Sequence, residues 1–210
     1  MTKDKSGINA ASYDKISEQW ADARGHSSLS GLVTDFAAKM KSTCAGGHIL
    51  DIGCGTGSPN AQYLSDCGFH VTGIDISPKL IEYARSQNIP NADFFVCDFF
   101  DFEPTQKFDG IIAFDSFFHF PKERQCEIYA RVSAWMADGA YLLFTHGSAD
   151  SEIDGVMFGE TFYYSALNTA HVHELILQAG LSVEESIINY REEAGNRDFV
   201  IYARKKAAIL

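Results

Sequence analysis

The chain has little with which to grip a polyanion. Its 17 lysines and arginines stand against 28 aspartates and glutamates, a formal net charge of −11, and the one basic cluster is Arg204-Lys205-Lys206. Nucleic-acid binding draws much of its affinity from clustered cations that neutralise phosphates. DNA is therefore excluded as a partner and RNA is disfavoured. No run of eighteen apolar residues is present, so no membrane span is expected. The stretch Met1-Thr2-Lys3-Asp4-Lys5-Ser6-Gly7 lacks the apolar core of a signal peptide. Five cysteines (44, 54, 67, 97 and 126) form no C-x-x-C pair and are odd in number. They offer neither a disulfide frame nor a zinc site, and they suit a reducing cytoplasm. Repeats, low-complexity segments and long linkers are absent too. With 210 residues and 46% apolar content, one well-buried domain is expected.

What is present is concentrated at Ile49-Leu50-Asp51-Ile52-Gly53-Cys54-Gly55-Thr56-Gly57. An apolar run that breaks into alternating glycines reads as a strand entering a loop that a ligand approaches closely, where a Cβ would be in the way. The helix that follows points free N–H groups at the ligand. Val71-Thr72-Gly73-Ile74-Asp75 then reads as a second strand ending in a carboxylate suited to ribose hydroxyls. Together these make a nucleoside-cofactor site.

The segment Asp51–Gly57 resembles the first motif of class I S-adenosylmethionine (SAM)-dependent methyltransferases more than the dinucleotide pattern G-x-G-x-x-G, because the third glycine comes two residues after the second. Phe94-Phe95-Val96-Cys97-Asp98-Phe99 resembles that family's third-strand motif, and Phe108 to Asp115 its fourth strand. The resemblance implies that Gly53, Gly55 and Gly57 lie against the methionine part of SAM, with Cys54 a small residue beneath it. It implies that Asp51 orients the loop, that Asp75 takes the ribose hydroxyls with Ile76 beside it, and that Asp98 and Phe99 lie near the adenine. Phe114 and Asp115 would stand at the boundary between cofactor and acceptor. The implied fold is α/β: a seven-stranded, mostly parallel, doubly wound sheet of order 3-2-1-4-5-7-6 with its last strand antiparallel.

Along the chain, apolar runs alternate with helical periodicities, as in a parallel sheet covered on both faces. Strands are expected at 48–53, 108–114 and 140–146. Helices are expected near 78–86, capped by Ser77-Pro78, and near 169–179, stopped by Gly180. The segments 181–190 and 198–204 are β-rich, and the seven polar residues between them are too few for a crossover helix, so these strands must be antiparallel. Two amphipathic stretches, about 10–24 and 29–42, precede the first strand. With Trp20, the run Tyr13-Asp14-Lys15-Ile16-Ser17 resembles the N-terminal cap of small-molecule members of the family. That implies a helical cap or lid at 1–44 over a SAM-binding domain at 45–206, with Tyr13 and Arg24 on the cofactor. Packing of Ile16, Trp20 and Ala23 on the domain is the other reading.

Methyl transfer from a sulfonium is an in-line displacement with a good leaving group, so alignment, desolvation and sometimes proton removal are the enzyme's tasks. His119 and His146 follow the fourth and fifth strands at the ligand-binding edge and are the candidate bases; bracing the loop is the other reading of His119. Phe117 and Phe118 are candidate acceptor contacts, one of them also suiting the core. The segment 147–168 reads as a long ordered loop covering the acceptor, with Glu160, Tyr163 and Tyr164 in contact. His171 and His173, two apart on a helix, face different directions, and no metal is expected. The Asn/Asp-Pro-Pro-Tyr/Phe motif of amide and nucleobase N-methyltransferases is absent. The expected activity is methyl transfer from SAM to oxygen or nitrogen of a small molecule, leaving S-adenosylhomocysteine, by a monomer or homodimer. Modification of a protein or RNA, and SAM binding without catalysis, are the alternatives.

Overall fold

The computed structural model describes residues 5–207. Two helices come first, α1 (Lys5–Gly25) and α2 (Gly31–Thr43). Strands and helices then alternate: β1 (His48–Ile52), α3 (Asn60–Asp66), β2 (His70–Asp75), α4 (Pro78–Ser86), β3 (Ala92–Val96) and β4 (Phe108–Ala113). After α5 (Gln125–Trp135) and β5 (Met136–His146) comes a hairpin, β6 (Ser151–Met157) and β7 (Glu160–Ala166). Helix α6 (Thr169–Gln178) and the strands β8 (Leu181–Glu192) and β9 (Gly195–Lys205) complete the order. The main sheet runs β3-β2-β1-β4-β5-β9-β8, parallel from β3 to β5, with β9 antiparallel to both of its neighbours. Leaving out the hairpin, this is the order 3-2-1-4-5-7-6.

Period-two alternation divides the core between the two faces of the sheet. Leu50, Ile52, Ile111, Leu142, Phe144, Phe199 and Ile201 pack with α5 and α6. Their sequence neighbours Ile49, Ile112, Leu143, Val200 and Tyr202 pack with α2, α3 and α4. The expected cap at 1–44 therefore divides. Helix α2 buries Leu32, Val33, Phe36, Ala37 and Met40 as part of the sheet's covering layer. Only α1 crosses the carboxyl edge, and the face it buries is largely polar: Asn9, Ser12 and Ser17 beside Ile16.

Two connections differ from the sequence expectation. The segment expected as a loop at 147–168 is mostly the β6–β7 hairpin, a separate two-stranded sheet closed by Phe158 and Gly159 with φ of +52° and +83°. Consecutive left-handed residues are what a two-residue hairpin turn needs, and a phenylalanine is an uncommon occupant of the first position, which hid the turn. The polar stretch 191–197 is likewise mostly strand: Glu192 pairs with Gly195 across a two-residue turn, so Arg197 lies in β9. No helix among the described residues is long and apolar enough to cross a membrane.

The edge that carries ligands is set by close packing between β2 and β3. A Cβ on Gly73 would stand 2.6 Å from the Phe94 ring and 2.8 Å from Cys54 Sγ. Gly73→Ala is expected to cost about 1–3 kcal/mol through overpacking, read as a lower denaturant midpoint at unchanged slope.

Candidate active site

The glycine loop leaves β1 with Gly53, Gly55 and Gly57 all at positive φ. Gly53 N and Cys54 N donate to Ile74 O at 2.8 and 3.1 Å, which ties the loop to β2. A Cβ on Gly53 would lie 2.5 Å from Cβ of Ser116, whose hydroxyl donates to Ile52 O at 2.7 Å. The residue that orients the loop is Asp75: its two oxygens accept from Gly55 N and Ser77 N, each at 2.9 Å. Asp51, expected to do this, has no hydrogen-bond partner among the described residues. It is buried under the loop, and burial, with Asp75 nearby, raises its carboxyl to about 7. Burial also raises Asp75, and it raises the Cys54 thiol well above the ordinary value, so Cys54 packs rather than reacts.

Helix α1 closes the edge from above. Asp14 accepts from Ser77 Oγ at 2.6 Å and from Lys79 N at 3.2 Å, at the start of α4. The Asn9 amide pairs with both backbone atoms of Tyr163, accepting from its N at 2.8 Å and donating to its O at 3.0 Å. Ser12 Oγ donates to Thr161 O at 2.7 Å. Tyr13, Trp20 and Arg24 are thereby held over the loop. The Arg24 guanidinium lies against Trp20, 5.8 Å from the ring centre, with no ion pair or hydrogen bond among the described residues; burial lowers its pKa, though it stays charged.

Three adjoining cavities result. One is lined by Asp75, Ile76, Cys97, Asp98 and Phe99. A second is lined by Arg24, Gly53, Cys54, Gly55, Phe114 and Asp115. The third is a cleft among Trp20, Phe118, Thr145, Tyr164 and Arg197. Tyr13 and His119 line all three. His119 Nδ1 lies 3.0 Å from Tyr163 O, which can only accept, and 3.2 Å from Asn9 Nδ2, whose two protons are directed to the carbonyls of Tyr163 and His119, so this ring nitrogen carries the proton. Nε2 then offers its lone pair to the Tyr13 hydroxyl at 2.9 Å. Burial lowers His119 to about 4 and raises the Tyr13 phenol, so both are neutral at pH 7.

His146 is placed differently. Its Nδ1 meets Gly147 O at 2.9 Å and its Nε2 meets Gln125 Oε1 at 3.1 Å. Gln125 is oriented by donating to Ser165 O and Ser165 Oγ. Nδ1 thus faces a carbonyl and Nε2 the Gln125 side chain, so neither ring nitrogen is turned to the cleft. Burial lowers its pKa as well.

The hairpin's period-two alternation sorts the remaining candidates. Tyr164 faces the cleft, 4.8 Å from the His119 ring and 5.8 Å from Phe118. Tyr163 points to the other side, where its hydroxyl accepts from Lys122 N and Lys5 Nζ. Glu160 pairs with Lys15 at 2.7 Å on the outer surface. Phe117 is fully buried against Phe144 and Phe120 and belongs to the core. Asp98 accepts from Phe100 N at 2.8 Å and, like Phe99, faces the first cavity.

Sequence reading missed Arg197 and Asn9. Arg197 donates to Asp115 at 2.9 and 3.3 Å and to Glu192 at 3.2 Å, and stacks on Phe114. Its only signal was a charged residue two positions after a hairpin turn; Asn9 had none, since its partners are backbone atoms 154 residues away.

A family model described as a methyltransferase domain matches residues 49–139. Over this stretch the chain is similar to methyltransferases. It is 31% identical over 153 residues to O-methyltransferase cnsE of Penicillium expansum, covering 68% of this chain and 54% of that one. It is 34% identical over 121 residues to 27-O-demethylrifamycin SV methyltransferase of Amycolatopsis mediterranei, covering 53% and 44%. The chain thus spans about half the length of these curated relatives. Among solved structures, SAM-bound magnesium protoporphyrin IX methyltransferase of Synechocystis PCC 6803 superposes with a TM-score of 0.75 at 17% identity, covering 97% of this chain and 98% of that one. That likeness is one of fold.

The raised carboxyl of Asp51 gives a pH signature. The folded protein holds this proton more tightly than the unfolded chain, so the contribution to stability is full below about pH 4 and is lost as pH rises through about 7. Asp51→Asn is expected to flatten the decline in ligand-free stability between these values by on the order of 4 kcal/mol, measured by denaturant titration across the range.

Proposed function

We propose that the protein transfers a methyl group from SAM to an oxygen or nitrogen of a small-molecule acceptor. One observation carries the reading: the hydrogen-bonded pair Tyr13–His119 stands where all three cavities meet. Two of the cavities fit the donor. Asp75, Ile76, Asp98 and Phe99 would hold its adenosine half. Arg24, charged and unpaired, lines the second cavity and suits the carboxylate of an amino-acid end, and Asp51 lies buried beneath the adjoining glycine loop. SAM supplies a methyl group already activated on a sulfonium.

The residues around the junction do the rest. Tyr13, Trp20 and Phe118 exclude water, and aromatic faces favour a cation beside them. His119 Nε2 is the lone pair turned to the junction, so the acceptor's proton passes to it, directly or through the Tyr13 hydroxyl. A pKa near 4 makes a weak base, which suffices for a proton that becomes acidic as the methyl bond forms. His146 supports the cleft wall instead. Free cysteines and the lack of a described membrane helix fit action in the cytoplasm.

Methyl-labelled SAM incubated with cell extract tests the reading: label is expected in the metabolite fraction, and label confined to protein or RNA would reassign the substrate class. Asp75→Ala and Arg24→Ala are each expected to weaken SAM binding by about 1–3 kcal/mol in calorimetry. Unchanged affinity in both would remove the donor assignment. His119→Ala should lower turnover by about 10²-fold or more with SAM affinity nearly unchanged, whereas His146→Ala should act mainly through stability. Equal loss of turnover in the two would count against His119 as the base.

A further inference from the structure

The third cavity restricts the charge of whatever enters it. Arg197 is the only lysine or arginine among the residues that line it. Its guanidinium is already spent: Nε and Nη2 donate to Asp115 at 3.3 and 2.9 Å, and Nη1 donates to Glu192 at 3.2 Å and to the carbonyls of Ala194 and Gly195 at 3.3 and 2.9 Å. With 7% of its side chain exposed and its plane on Phe114, it has two carboxylate partners for one positive charge. Asp198, exposed on the same wall, has no cation paired with it among the described residues. The two imidazoles there carry no positive charge: His119 is hydrogen-bonded as a neutral ring, and His146 is buried. Arg24 lines the second cavity and is absent from the lining of this one. A carboxylate or phosphate in this cleft would lose hydration, meet no free cation and face two acidic side chains.

The same cleft is also lined by aromatic rings. Phe118 and Tyr164 lie side by side with rings inclined by 33°. Gly155 allows this: a Cβ there would come within 2.9 Å of the Tyr164 ring, which leans over it diagonally from the position paired with Ile153. On the methyl-transfer reading above, we propose that the acceptor is a planar aromatic compound that bears its reactive hydroxyl or amino group and no anionic substituent, its ring lying against Phe118 and Tyr164.

A matched pair of probes tests this by calorimetry on protein saturated with S-adenosylhomocysteine at neutral pH: 2-naphthol, and 6-hydroxy-2-naphthoate, which adds one carboxylate to the same ring. The expected result is at least about tenfold tighter binding of 2-naphthol. In Asp198→Lys, which places a free cation on the wall, the gap is expected to narrow through a gain for the carboxylate. Comparable or tighter binding of the carboxylate by the unaltered protein, or binding of neither probe, overturns the proposal. S-adenosylhomocysteine is titrated first, and its failure to bind would overturn the methyl-transfer reading instead, so the two failures are distinguishable.

Discussion

The site depends on α1 lying across the carboxyl edge of the sheet, and α1 is held there by hydrogen bonds more than by apolar burial. The Asn9 amide serves as a single strand residue added to the edge of β7, and Asp14 serves as a cap for α4. Each such bond is worth only about 1 kcal/mol net, but leaving a buried partner unsatisfied costs more, so the set behaves cooperatively. The same helix turn carries Tyr13, and the next turns carry Trp20 and Arg24. Docking α1 therefore brings Tyr13 to His119 and sets Trp20 and Arg24 over the glycine loop in one event. Helix α1 also touches both the start of α4 and the hairpin, so one helix closes all three cavities.

A second constraint is electrostatic. Asp75, Asp98 and Asp115 line the cavities at the edge of an acidic chain, with Asp51 buried beneath the glycine loop. Their mutual repulsion is managed in three ways: backbone N–H groups fill the oxygens of Asp75, burial keeps Asp51 near neutrality, and Arg197 neutralises Asp115. Buried ion pairs contribute little net stability, yet losing one partner is costly, about 3–5 kcal/mol. The Arg197 cluster is better understood as fixing shape. It holds Asp115, at φ +57°, between the second and third cavities, and links it through Glu192 to Ser30 and Gly31 at the start of α2.

Much of this was legible in the chain. The Asp51–Gly57 loop, the strand ending at Asp75 and the closing antiparallel pair are local patterns, and local patterns set strand order once crossovers take their preferred hand. The donor half of the site was legible for the same reason, since its residues sit at strand ends and in the loops that follow them. The acceptor half was not. Which of Tyr163 and Tyr164 faces the cleft depends on the register of a hairpin whose turn residue, Phe158, gives no turn signal. Phe117 and Phe118 are adjacent aromatics, and only the short helical turn that contains them sends one to the core and the other to the cleft.

By itself the sequence determined the strands and the glycine loop, because these follow from periodicity, backbone freedom and residues close together in the chain, and the strand order came through the family resemblance those motifs carry. Tertiary structure alone decided that Asp75 rather than Asp51 holds the loop, that His119 rather than His146 turns a lone pair to the junction, and that Arg197 is consumed within the cleft. Each of these is a choice among similar side chains made by hydrogen-bond partners distant in sequence. Geometry at the scale of a single hydrogen bond settles such choices, and no residue pattern encodes it.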